Sequence, residues 1–351
     1  MAKKSKVTMG WDVGDKFTDV CALGSDEAIL EEVRVRTTKH SLDKMLERYP
    51  DALVVLEVGV HSRWISDLVR ERGHRVIVAN ARQVQLIHRR KWKTDRSDAL
   101  LLARLGRFDP TLLAPVHHRS KTAQLDLVCL RARDMLVSAR TDLINHVRGI
   151  LKPFGLRVPD CGSGAFARFA EAAIPPELVP ALDPILAILR ALETEVSRYD
   201  KQLEQLAAVS YPETARLRQI AGVGPITSLA FVLTIEDSSR FDASRTVGAF
   251  VGLTPGKDQS GESDPQKRIT KAGDPFLRKL LVQCAHYALG PFGQDSDLRR
   301  WGLRLSERGG KSAKKKAVIA VARKLAVLLH RLWVSGEKYQ PLGYSPKVAA
   351  A

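Results

Sequence analysis

The most restrictive segment of this 351-residue chain is Ala-Leu-Val-Val-Leu-Glu-Val at residues 52–58. It is an almost unbroken apolar run, interrupted only by Glu57. A short run of that kind is the pattern of a strand covered on both faces. Such a strand needs other strands beside it and helices on each side of the sheet. The flanking sequence offers both. Residues 7–9 and 18–23 are strand-like and close enough for a hairpin, and Glu31–Thr37 alternates with period two as a third strand. Ser41–Tyr49 reads as a helix, Trp64–Arg72 as a helix ended by Gly73, Arg75–Ala79 as a strand, and Asp95–Leu105 as an amphipathic helix. Three strands followed by alternating helix and strand predict an α/β sheet of mixed direction.

The middle of the chain changes rhythm. Apolar or small residues recur at Leu125, Cys129, Ala132, Leu136, Ala139 and Leu143, and again at Ile185, Leu189, Leu192, Val196, Tyr199, Leu203 and Leu206. Alternating spacings of three and four are the seam of a coiled coil and equally of a helical bundle. Residues 152–184, rich in Pro and Gly, lie between the two helices, which pack on each other or on another subunit. Further on, Ile220-Ala-Gly-Val-Gly-Pro-Ile-Thr sits between two helical patterns, like a helix-hairpin-helix whose backbone N–H groups hold a phosphate. Phe250–Thr270 is polar and loop-rich, and Asp274–Ala288 is an amphipathic helix.

Charge bears on partners. There are 56 Lys and Arg against 39 Asp and Glu, a net +17. A basic surplus of this size points to nucleic acid as partner. Arg299–Trp333 concentrates it, with eleven Lys or Arg and one acid, Glu307, peaking at Lys314, Lys315 and Lys316. Another basic run, including Arg89, Arg90, Lys91 and Lys93, precedes the helix at Asp95. Four scattered cysteines form no Cys-x-x-Cys pair, so no zinc site is expected. No stretch approaches the ~18 apolar residues of a membrane-spanning helix. No signal-peptide pattern opens the chain. Together these predict a cytoplasmic protein with free thiols and no membrane partner.

Four acids form an ordered set. Asp12 follows a strand-like run between two glycines, Glu57 ends the most apolar strand, and Asp95 and Asp98 stand three apart on one helical face. Each has a local explanation: a turn, a strand-edge charge, a helix start, a partner for Arg96 or Arg104. Yet a carboxylate in so apolar a strand calls for a compensating charge. The order Asp on a first strand, Glu on a later buried strand, then Asp-x-x-Asp on a helix is that of ribonuclease-H-like nucleases, Holliday-junction resolvases among them. One or two Mg²⁺ ions held this way would serve phosphoryl transfer.

Gly-Trp-Asp-Val-Gly at 10–14, Leu-Glu-Val-Gly at 56–59 and Lys-Thr-Asp-Arg-Ser-Asp-Ala at 93–99 resemble the DEDD transposases of the insertion-sequence 110 family. The segment at 220–227, Phe-Val-Gly-Leu-Thr-Pro at 250–255, Ser260-Gly, Arg-Ile-Thr-Lys-Ala-Gly-Asp at 268–274 and Leu-Arg-Lys-Leu-Leu at 277–281 resemble that family's C-terminal domain in order. The resemblance implies an α/β plus α protein. Its parts are a RuvC-like catalytic domain over 1–120, a coiled-coil and linker region over 121–210, and a mainly helical transposase domain over 211–351. It implies that Asp12, Glu57, Asp95 and Asp98 bind Mg²⁺ and that Ser260 is the nucleophile. A structured bridge RNA would guide donor and target double-stranded DNA into recombination within a homodimer or tetramer. The sequence departs from the family's Ser-Ser-Gly loop: Gln259 replaces the first serine and Glu-Ser-Asp follows Gly261, which leaves Ser263 in reserve. Arg268, Lys271 and Arg278 are nearby cations for the phosphate. Two rival readings stay open: a metal-dependent junction nuclease without a covalent intermediate, and a non-catalytic basic nucleic-acid-binding protein.

Overall fold

The computed structural model describes residues 6–80, 94–257, 259, 265, 267–310 and 312–343. The chain divides into two compact units, 1–118 and 119–351. The first contains strands β1 (Thr8–Val13), β2 (Phe17–Leu23) and β3 (Ile29–Arg36), helix α1 (Lys39–Arg48), β4 (Leu53–Glu57), α2 (Ser62–Glu71), β5 (Arg75–Ala79) and α3 (Asp95–Phe108). The strands form one sheet in the order β3-β2-β1-β4-β5. The first three are antiparallel neighbours, while β1–β4 and β4–β5 are parallel. The mixed sheet is consistent with a ribonuclease-H-like domain.

The apolar run at 52–58 is explained by what covers it. Val54 and Leu56 join Met9, Trp11, Val20 and Ala22 against α1 and α2, through Leu42, Met45, Leu46, Ile65 and Val69. Leu53 and Val55 face the other way, onto Leu102 and Leu105 of α3. Alternate residues of one strand thus serve two cores.

Helix α3 lies directly on β1. A Cβ built on Gly10 would stand 1.9 Å from the Ala99 carbonyl oxygen and 2.5 Å from the Ala103 nitrogen. Only a residue without a side chain permits that approach. Toward its other end the helix meets Thr8, whose hydroxyl accepts from Arg107 at 3.4 Å. The helix therefore runs antiparallel to β1 and brings its first turn, with Asp95 and Asp98, toward the Asp12 end. Gly10→Ala is expected to cost about 3 kcal/mol, read as a lowered midpoint in thermal unfolding of the purified protein. An unchanged midpoint would contradict this packing.

The second unit is helical among its described residues. The long helices α4 (Lys121–Leu151) and α6 (Val179–Ser210) pack along one another. Arg133 is bonded to Asp200 at 2.7 and 3.3 Å, and Arg140 is paired with Glu193. At one end a core of Ile144, Val147, Leu151, Leu182, Leu186 and Leu189 also buries Phe166 of the short helix α5 (Phe166–Ala173). At the other end Leu127, Leu130, Leu203 and Ala207 enter a larger core. That core contains α7 (Pro225–Ile235), α8 (Pro275–Leu289) and α10 (Ala313–Ser335), with α9 (Asp297–Ser306) packed against α10.

The seam expected on α6 points inward, with Leu189, Val196 and Leu203 buried. On α4 the expected phase is wrong at its start. Leu125 is 58% exposed, and Ala123, Leu127, Leu130, Ile144, Val147 and Leu151 are the buried residues. The helix carries apolar residues on two faces, since Val128 and Met135 are exposed as well. Spacing alone could not choose between them.

Among the described residues no single helix is long and apolar enough to cross a membrane. The four cysteines are free.

Candidate active site

The start of α3 is fixed locally. Thr94 caps the helix through its hydroxyl, accepting from the Ser97 N–H at 3.2 Å, while the Ser97 hydroxyl accepts from the Thr94 N–H at 3.1 Å. This reciprocal cap sets Asp95 as the first helical residue and Asp98 one turn later. Asp98 is buried, at 4% exposure. Asp95 is exposed and points to β3, where Arg34 Nη2 donates to its Oδ2 at 3.2 Å.

Strand register places the other acids. Trp11 of β1 is paired with Leu56 of β4 in parallel, so Asp12 and Glu57 are the next residues along two neighbouring strands. Asp12 is paired directly with Asp19 of β2, and Asp19 directly with Arg34 of β3. Directly opposite residues share a face. Glu57, Asp12, Asp19 and Arg34 therefore form a row across four strands, with backbones about 4.8 Å apart from one strand to the next. Their face is that of Gly10, the one covered by α3. The row holds three carboxylates and one guanidinium, with Asp95 and Asp98 brought to the same end by the helix.

Asp19 and Arg34 were not singled out by sequence. Asp19 had the same signal as Glu57, a carboxylate inside the apolar run of residues 18–23. Its side chain is only 5% exposed, and Arg34 Nε lies 3.4 Å from its Oδ2. Arg34 had no signal, because its place depends on the pairing of β2 with β3.

A third feature borders the row. Trp64 Nε1 donates to His61 Nδ1 at 3.1 Å. An indole N–H only donates, so the imidazole proton of the neutral ring sits on Nε2. That nitrogen lies 3.2 Å from Asp15 Oδ1 and donates to it. The loops after β1 and β4, which follow Asp12 and Glu57, are tied together by this contact.

The donor set suits a hard dication. Asp12, Glu57, Asp95 and Asp98 offer only carboxylate oxygens, the ligands Mg²⁺ takes. Cys21, further along β2, offers no soft alternative: burial, with the nearby Glu32 charge, raises its thiol to about 11. Among the described residues no three acids, histidines or cysteines are drawn together closely enough to hold a metal ion. Among the described residues, Arg34 is a cation at this end of the sheet, with Asp95 on it. In kind, as carboxylates gathered toward one end of the sheet, the residues suit Mg²⁺.

The remaining candidates divide. Ser260, Ser263, Arg89, Arg90, Lys91 and Lys93 lie outside the described residues. Arg268 and Lys271 are exposed. Arg278 is half-buried and turned inward, Nη1 donating to the Val251 carbonyl at 2.9 Å and the Gly273 carbonyl at 3.4 Å. Lys314, Lys315 and Lys316 are exposed at the start of α10. Other cations of the basic stretch are used internally. Arg299 donates to the carbonyls of Ala288 and Gly290, and Lys324 lies 4.4 Å over the Trp301 ring. In the turn at Gly222, φ is +89°, and a Cβ there would stand 2.5 Å from the Tyr287 ring. The carbonyl of Gly222 accepts from the Cys284 thiol at 3.0 Å.

Comparison with known proteins decides the family. A model described as a transposase, of the IS110 DEDD type, matches residues 9–155 and so spans the acids. A second, described as the transposase IS116/IS110/IS902 family, matches residues 214–294. The transposase for insertion sequence element IS1111A of Coxiella burnetii is 30% identical over 255 residues, covering 71% of this chain and 68% of that protein. The chain belongs to the IS110 family of DEDD transposases. A probable family 20 transposase of Pseudomonas aeruginosa is 29% identical over 342 residues, covering 95% of this chain and 98% of its own length. A pilin gene-inverting protein of Moraxella lacunata is 24% identical over 285 residues, covering 79% and 78%. As a member of the IS110 family the chain is an enzyme of DNA transposition and recombination.

Proposed function

We propose that this transposase cuts and rejoins donor and target DNA at a composite centre made of a Mg²⁺-holding acidic half and a serine half. The observation that carries the reading is the row of Glu57 and Asp12 at one end of the sheet, with the buried Asp98 brought to that end by α3. Asp12, Glu57, Asp95 and Asp98 would hold the metal. When bound, Mg²⁺ supplies charge for the phosphodiester and lowers the pKa of a coordinated hydroxyl.

The chain's own groups do the rest. The serine half is Ser260, with Ser263 in reserve, on the strength of the family's Ser-Gly loop. Its hydroxyl gives up its proton as the oxygen attacks phosphorus, the bond to one deoxyribose oxygen breaks, and that oxygen takes up one proton and leaves as a hydroxyl, so the proton count is unchanged. The phosphoserine ester keeps the energy of the broken strand, so a second deoxyribose hydroxyl can displace the serine without ATP. A serine hydroxyl is weak at neutral pH and needs activation, which accounts for acids and serine in one centre. In this reading the acids of one subunit act with the serine of another, within a dimer or tetramer held by the α4–α6 coiled coil. Arg268 and Lys271 face the phosphate, and Lys314, Lys315 and Lys316 track the DNA backbone with the helix-hairpin-helix turn at 220–227.

The choice of DNA sequence is assigned to a bridge RNA, on family resemblance. The test is recombination of donor and target DNA by purified protein, with and without RNA transcribed from the non-coding DNA beside the gene. Recombination is expected only with the RNA, and lost when Mg²⁺ is chelated. Equal recombination without RNA would remove the guide from the account.

A further inference from the structure

Arg34 has no role in the metal-holding reading of the four acids, yet it contacts one of them, Asp95, together with Asp19 of the same row. Its Nε lies 3.4 Å from Asp19 Oδ2 and its Nη2 donates to Asp95 Oδ2 at 3.2 Å. The two carboxylates differ. Asp19 is almost fully buried, 5% exposed at the side chain, and is paired across the strands with Asp12. Like charges directly opposite one another are unfavourable, and a buried carboxylate needs a counter-charge. Arg34 supplies it. Asp95 is 62% exposed, and an exposed pair of this kind is weak and exchangeable. The guanidinium is further placed by the Phe17 ring, 5.5 Å from its centroid. Its several donors allow one cation to serve both acids, which a lysine ammonium would do with less defined geometry.

We propose that Arg34 is a placeholder cation that competes with the bound metal for Asp95, and so sets the metal affinity of the acidic site. This rests on the reading of Asp12, Glu57, Asp95 and Asp98 as the Mg²⁺-binding half. The contact with the buried Asp19 anchors the guanidinium, and the contact with the exposed Asp95, screened by solvent, is the one given up. Metal entry then costs the Arg34–Asp95 pair and is opposed by a positive charge at close range. Asp19 is the anchor of the device, not a ligand. Arg34 is a positioning residue, since it acts through Asp95 and not on the reacting atoms.

The test is a titration of the full chain with Mn²⁺, with free Mn²⁺ followed by electron paramagnetic resonance. Wild type is compared with Arg34→Gln, and Asp19→Asn with the double variant Asp19→Asn/Arg34→Gln. The second pair removes the arginine where no buried charge is left behind, so a folding defect of the single variant does not decide the outcome. Loss of the arginine is expected to tighten Mn²⁺ binding roughly tenfold, the size of one charge acting on a dication at close range in a largely aqueous setting. Affinity unchanged within about twofold in both pairs, or weakened in the second, would overturn the proposal. Asp12→Asn, which keeps Arg34, is the control for the reading beneath it. Mn²⁺ binding undiminished in that variant would mean that the metal reading itself has failed.

Discussion

Asp12→Asn is expected to abolish strand cleavage, lowering its rate by at least about a thousandfold, while the protein keeps its fold. The size follows from what a metal-holding carboxylate contributes to phosphoryl transfer: it positions the charge that stabilises the attacked phosphate, a term usually worth several kcal/mol. The preserved fold follows from the sheet. Asn is close to Asp in volume, and Asp12 faces Asp19 directly across the β1–β2 pair. Removing one of two facing negative charges does not weaken that pairing. Glu57→Gln is expected to behave alike, because Glu57 ends β4 beside Asp12 and the packing of the strand is carried by Leu53–Leu56. Cleavage is read with end-labelled DNA and folding by thermal denaturation. Two variants with wild-type cleavage would return the acids to their local explanations as turn and strand-end residues, and would favour a protein that binds DNA without cutting it.

The second large effect is at the other half of the centre. Ser260→Ala is expected to remove the oxygen that would join protein to DNA and so to lower strand exchange and any covalent adduct by about three orders of magnitude or more. Mn²⁺ binding is unchanged in the same variant, because the acids are intact. Ser263→Ala retains exchange. If Ser260→Ala cleaves as fast as wild type, water is the nucleophile, and the acids act as the hydrolytic centre of a junction nuclease. Thus one variant separates the two enzymatic readings that the acids alone leave equal.

Much of the first unit was legible because its strands obey one-dimensional rules. The run at 52–58 announced a strand with two covers, and β4 has them in α1–α2 and α3. The hairpin and the third strand likewise follow from alternation, and the amphipathic helix expected from Asp95 begins there. What escaped was pairing. Asp19 carried the signal that made Glu57 conspicuous, but its position opposite Asp12 is a property of register, which no local pattern fixes. Arg34 was invisible for the same reason. Charge was also a poor guide to direction. Arg278 looked like a phosphate ligand, and it braces the backbone at Val251 and Gly273. Lys324 counted toward the basic stretch, and it lies on Trp301, where burial lowers its pKa. On α4 the periodicity was real and its phase was not, since a helix with apolar residues on two faces supports two seams.

We propose that the acids and Ser260 act together through a covalent link. It is tested most directly by quenching labelled DNA with wild-type protein in Mg²⁺ under denaturing conditions and mapping the peptide that retains DNA. An adduct is expected on the peptide containing Ser260, present with Mg²⁺ and absent both in Asp12→Asn and after chelation. Cleaved DNA with no adduct, an adduct on a different residue, or an adduct that forms without the acids would contradict it.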